Sequence, residues 1–185
     1  MGEREIAIHE AGHALAWYRG GIEMEIVTIV PVEMGEWTRG GAALATPGWI
    51  ARMAPVIEDG APFEAFSDAQ RSLFDACIIG RYAGPAAEAR CSGRSIVDCM
   101  IAENEEDNPP ESDYNTVIAV MLEISKDPDL VWRYTHEMRQ RAEEMIAAPD
   151  NWHAIETLAA ALLERREIDG TTAAGILAAA LDGGA

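Results

Sequence analysis

The chain has 185 residues, 49% hydrophobic and 25% charged, which suits one globular domain with a real core. Its formal net charge of −18 argues against nucleic acid and anionic membrane surfaces as partners, since both reward clusters of Lys and Arg. Cys77, Cys91 and Cys99 are odd in number and form no CxxC pair, which argues against a disulfide framework and fits a reducing compartment. In chain order, a first helix is expected from Glu3 to Arg19, stopped at Gly20-Gly21. Gly12 inside it costs about 1 kcal/mol relative to Ala, so another element should pack closely there. Met24 to Pro31 is a β-branched run closed by proline and reads as a strand. Gly40 to Thr46 is a weaker partner, the return arm of a hairpin.

From Pro47 to Phe66 the chain is loop-like, with Trp49, Phe63 and Phe66 as anchors. Ser67-Asp68-Ala69-Gln70 has the form of a capping box and opens a helix bearing Leu73, Phe74, Cys77 and Ile78. Pro85 is expected to break that helix or start a new one. Glu103 to Pro110 is an acidic loop. Helices follow over Ser112–Ser125, Pro128 to about Ala148, Asn151–Arg166 and Thr171–Leu181. The expectation is one domain over 1–185, mainly α with a small β-hairpin or sheet (α+β). Residues 1–110 carry the first two helices and the sheet, and 111–185 form a helical C-terminal part. No apolar run approaches the roughly 20 residues of a membrane span. A leader peptide has no room before the first helix, so a cytoplasmic location is expected.

His9-Glu10-Ala11-Gly12-His13 is a HExxH motif within the first helix. Residues four apart lie on one helix face, so both imidazoles can reach one zinc ion. Glu10 sits about 100° further round, beside the ion, where a carboxylate can take a proton from water. A catalytic zinc usually has three protein ligands and one open position. The metzincin extension needs Gly at 16 and His at 19, but Ala16 and Arg19 stand there. His136 and His153 lie in amphipathic C-terminal helices and read as surface residues. A carboxylate is the better third ligand, and composition alone cannot choose it among 32 acidic residues.

The motif and its surroundings resemble the peptidase domain of FtsH, the membrane-anchored AAA protease. That family carries HEAGHA on a helix and then a strand of the type TIxPRG. Here His9 to Ala14 are followed by Val27-Thr28-Ile29-Val30-Pro31. The family's GGRAAE segment is echoed by Gly80-Arg81 and by Gly84-Pro85-Ala86-Ala87-Glu88, with altered spacing. Its third zinc ligand is an aspartate at an SDxxxA-type helix start, matched here by Ser112-Asp113 through Ala119. Ile155 to Ala159 and Leu163-Glu164 resemble its closing helices.

The resemblance implies a zincin-like helical metallopeptidase domain with His9, His13 and Asp113 as zinc ligands. As the first residue of a helix or its cap, Asp113 would also be oriented and favoured by the helix dipole. Glu88 could serve as an acceptor that fixes a histidine tautomer, and Glu88 or Glu105 is the alternative third ligand. The 185 residues contain no GxxxxGK[ST] phosphate loop. The function expected is therefore ATP-independent hydrolysis of unfolded or extended polypeptide by a soluble zinc metallopeptidase. Glu10 would be the base and the strand at 24–31 an edge for substrate. A non-catalytic zinc-binding regulatory module is the alternative. Peptide is the expected partner, with no nucleic acid or membrane, and a homo-oligomer is left open.

Overall fold

A computed structural model describes residues 2–34, 37–46, 63–105 and 112–183. Seven helices and two small sheets appear among them. Helix α1 (Glu3–Arg19) is buried on every side from Ala7 to Trp17. Small residues make that possible: Ala7, Ala11, Ala14 and Ala16 let neighbours approach from several directions, so a weakly amphipathic helix becomes the centre of the domain. Strand β1 (Met24–Thr28) follows, then β2 (Val32–Met34), β3 (Trp37–Arg39) and β4 (Ala42–Ala45). After a 3₁₀ turn at Phe63–Ala65 come α2 (Asp68–Ser92), α3 (Ile96–Glu105) and α4 (Asp113–Ile124). The chain closes with α5 (Pro128–Ala147), α6 (Pro149–Arg165), β5 (Glu167–Asp169) and α7 (Gly170–Asp182). The architecture is thus α+β and mainly helical, as the pattern of the sequence led one to expect.

The sheet differs from a simple hairpin. Its order is β4-β1-β5, antiparallel throughout, with Val27 opposite Ala43 on one side and Ile168 on the other. β1 is therefore the central strand and offers no edge, contrary to the sequence reading, and it ends at Thr28 rather than Pro31. The outer sides of β4 and β5 are the edges of this sheet among the described residues. Between β1 and β4 the chain makes a separate two-stranded ribbon, β2 with β3. β5 is only three residues long and too short to carry a period-2 signal.

Pro85 lies inside α2 without ending it, correcting the expected break. A mid-helix proline lacks the N–H for the carbonyl four residues back and clashes with the Cβ of the residue before it. That preceding residue is Gly84, which has no Cβ, and residues 82–88 are buried. Packing on both sides holds the helix through the defect. Gly12 behaves as expected: a Cβ there would stand 2.6 Å from the Ala83 carbonyl oxygen and 2.8 Å from the Ala87 Cβ. Helices α1 and α2 therefore cross at backbone contact. Phe63 and Phe66 anchor an aromatic cluster with Phe74 and Tyr134, with ring centroids 4.7–6.0 Å apart. Trp49, most of the loop at 47–66, the acidic loop beyond 105 and the Glu105 side chain lie outside the described residues. No described helix is long and apolar enough to cross a membrane.

Candidate metal centre

His9 and His13 project from consecutive turns of α1 toward α2 and the start of α4. Ser112 caps α4 by accepting from the Asn115 amide at 3.1 Å, which makes Asp113 the first helical residue. All three side chains are buried, His9 and His13 at 5% exposure and Asp113 at 1%. Their inner atoms converge: His9 Nε2 lies 3.0 Å from His13 Nε2 and 3.3 Å from Asp113 Oδ2, and His13 Nε2 lies 3.0 Å from that same oxygen. Among the described residues, His9, His13 and Asp113 are the one group of three that could hold a metal ion.

The outer nitrogens fix what the inner ones are. His13 Nδ1 donates to the Gly80 carbonyl at 2.7 Å, and His9 Nδ1 faces a Glu88 carboxylate oxygen at 3.3 Å. A neutral imidazole that donates through Nδ1 presents a lone pair at Nε2. With both Nδ1 atoms donating, two nitrogen lone pairs and a carboxylate oxygen face one another, and either a proton or a metal ion at their centre relieves the repulsion. A four-coordinate ion with bonds of about 2.0–2.1 Å holds its donors about 3.3 Å apart, close to the spacings found here. Gly84 supplies the room, because a Cβ at that position would overlap His13 Nε2 and lie 2.7 Å from His9 Nε2.

The electrostatics agree. Burial disfavours a charged His9, but Asp113 and Glu88 outweigh it and hold the imidazole pKa well above its ordinary value. Burial likewise opposes a charged Glu88, yet His9 and then Arg94 hold its carboxyl below the usual range. The protein therefore favours positive charge where the three donors meet. Glu88 sits behind His9, on the ring nitrogen away from Asp113, so it orients the imidazole and is not one of the three converging donors. Its other oxygen pairs with Arg94. Glu10 is buried at 5% exposure, close enough to act electrostatically on His9.

His136 and His153 are not among the converging donors. The first stacks on Trp132 at 5.3 Å and pairs with Arg139, and the second is exposed. Three further contributors carry no sequence signature of their own: the Gly80 carbonyl, the missing side chain at Gly84, and Arg81, which donates to Asp113 Oδ1 at 3.2 Å. The spacing of Gly80 and Gly84, one helical turn apart like the two histidines, was the available signal. No protein-family model matches the chain, and no curated protein matches it.

Proposed function

We propose that this chain is a zinc metallopeptidase that cleaves unfolded or extended polypeptide without ATP. One observation carries the reading: three buried lone-pair donors converge at the spacing of a shared ion, with the buried Glu10 carboxylate close enough to act electrostatically on His9. Nitrogen and carboxylate donors in that number suit zinc with an open position. Zinc, when bound, polarises a carbonyl and makes water nucleophilic near neutral pH. The protein's own part falls to Glu10, which accepts the proton of the attacking water and returns it to the departing amine. Glu88 and the Gly80 carbonyl take the outer N–H groups of His9 and His13, so that each ring would present its Nε2 lone pair to a bound ion.

Substrate access is supported by the sheet. The outer edge of β4, unpaired among the described residues, begins beside Glu10: a Cβ on Gly41, the residue before β4, would lie 3.0 Å from Glu10 Cγ. An extended peptide pairing with that edge would run toward the base. Folded proteins do not present such a strand, and the 185 residues carry no phosphate loop to drive unfolding.

The test is cleavage of a denatured, casein-like substrate by the zinc-loaded chain, without nucleotide, against the Glu10→Gln variant. The parent cuts and the variant, with its metal retained, does not. If neither cuts while zinc is bound, the chain is a zinc-binding module and not a peptidase.

A further inference from the structure

We propose that Arg81 is a positioning residue that holds Asp113 as a one-oxygen ligand and so keeps a coordination position open. This rests on the metal reading above. Arg81 is one helical turn before Pro85 on α2 and donates to Asp113 Oδ1 at 3.2 Å. The other oxygen, Oδ2, is the one that faces both Nε2 atoms. The guanidinium is itself held: its Cζ lies 6.0 Å from the Trp17 ring, and Trp17 is wedged against the bare Cα of Gly80. Trp17 in turn stands one turn beyond His13, with ring centroids 6.3 Å apart. A donor of known orientation thus sits on the oxygen that the ion must not use.

A carboxylate free at both oxygens can chelate an ion through the two together, which would add a fifth donor and crowd the position that water and substrate need. An oxygen already accepting a charge-assisted hydrogen bond is a poor second donor to a cation, and Arg81 adds repulsion on that side. Zinc affinity alone is not decisive for this role. Removing Arg81 takes a positive charge away from the ion, which tightens binding, and it also frees the ligand to move, which loosens binding. Coordination number separates the two.

The experiment replaces zinc by Co(II) in the full chain and records the visible absorption of the parent, Arg81→Met and Arg81→Lys. Four-coordinate cobalt absorbs strongly and five-coordinate cobalt weakly. The parent shows the intense four-coordinate bands, and Arg81→Met loses most of that intensity as Oδ1 becomes a ligand. Arg81→Lys, which keeps the charge but not the planar fork, lies between them. A structural role for Arg81 through Trp17 would lower the melting temperature and leave the bands unmoved. A parent-like spectrum in Arg81→Met overturns the proposal. Where Arg81→Met does not fold, a parent-like spectrum in Arg81→Lys does so. A parent that takes up neither Co(II) nor zinc overturns the metal reading itself, a different result from bands that fail to change.

Discussion

Gly84 of α2 faces His13 of α1 so closely that the Cα of one and the imidazole of the other leave no space for a methyl group. The candidate metal centre depends on an absent side chain as much as on present ones. Gly84→Ala is therefore expected to abolish metal binding, because the new Cβ displaces both Nε2 atoms. It also restores the Cβ clash with Pro85 and lowers apo stability. Metal content after dialysis, read beside a thermal melt, checks both. Stoichiometric metal in Gly84→Ala would show that the two rings sit farther from α2 than described.

His9→Ala and His13→Ala should each strip the ion, since each removes one converging donor, and Asp113→Asn should weaken binding sharply, since an amide oxygen carries no charge. For the parent, chelation should lower stability and added zinc restore it. An ion present at about a thousand times its Kd contributes roughly 4 kcal/mol, or about 10 °C in melting temperature for a domain of this size. Calorimetry with and without chelator measures it. An identical melt in both conditions would refute metal-linked stability.

Glu10→Gln should keep the metal, because Glu10 is not among the converging donors. Turnover should fall by roughly two to four orders of magnitude with the loss of a general base. Elemental analysis and a peptide-release assay on one preparation separate the two effects. Equal rates for variant and parent would remove Glu10 from the reaction.

Glu88→Gln should weaken zinc binding about 10- to 100-fold without abolishing it, as partners of metal-bound histidines generally do. The amide still reaches His9 Nδ1 but no longer stabilises it as an anion does. Competition with a chromophoric chelator gives the ratio. Complete loss of metal in Glu88→Gln, with metal kept in Asp113→Asn, would exchange their roles.

Gly12→Ala tests the crossing of α1 and α2. Helix propensity favours the alanine by about 1 kcal/mol, but overpacking of a tight core costs typically 1–3 kcal/mol. Here the new methyl would meet a backbone carbonyl oxygen at 2.6 Å, which cannot rotate away. The clash should win, giving a net loss of about 1–2 kcal/mol by urea denaturation.

The helical framework was readable because its signals are local. Glu3–Arg19 ends at a glycine pair, Ser67 and Gln70 cap each other, and Pro128 sits at the first turn of α5. One such signal went unread. Ser95-Ile96-Val97-Asp98 has the S-x-x-D form, and Ser95 Oγ indeed accepts from the Asp98 amide at 3.1 Å to open α3. Pro85 misled because proline's rule is local, whereas the packing that overrules it comes from α1. The two histidines were legible from their spacing of four. Asp113 was reachable only through a motif resemblance, since it stands 104 residues from His9 and nothing periodic joins them. Arg81, Gly84 and the Gly80 carbonyl lie in the segment that echoes GGRAAE, but what each does follows from its position in space and not from its residue type.

The place of β5 in the sheet bears on how the protein is made. Met24 to Thr28 leave the ribosome well before their second partner, residues 167–169. Until β5 emerges, one flank of β1 therefore carries unpaired backbone groups, open to pairing with another chain. Gly170 then seats against the Met24 carbonyl so tightly that no larger residue fits. Vectorial synthesis leaves this stitch to a segment made much later than β1. Chains cut short of residue 167 should accumulate as aggregates and not as smaller folded domains.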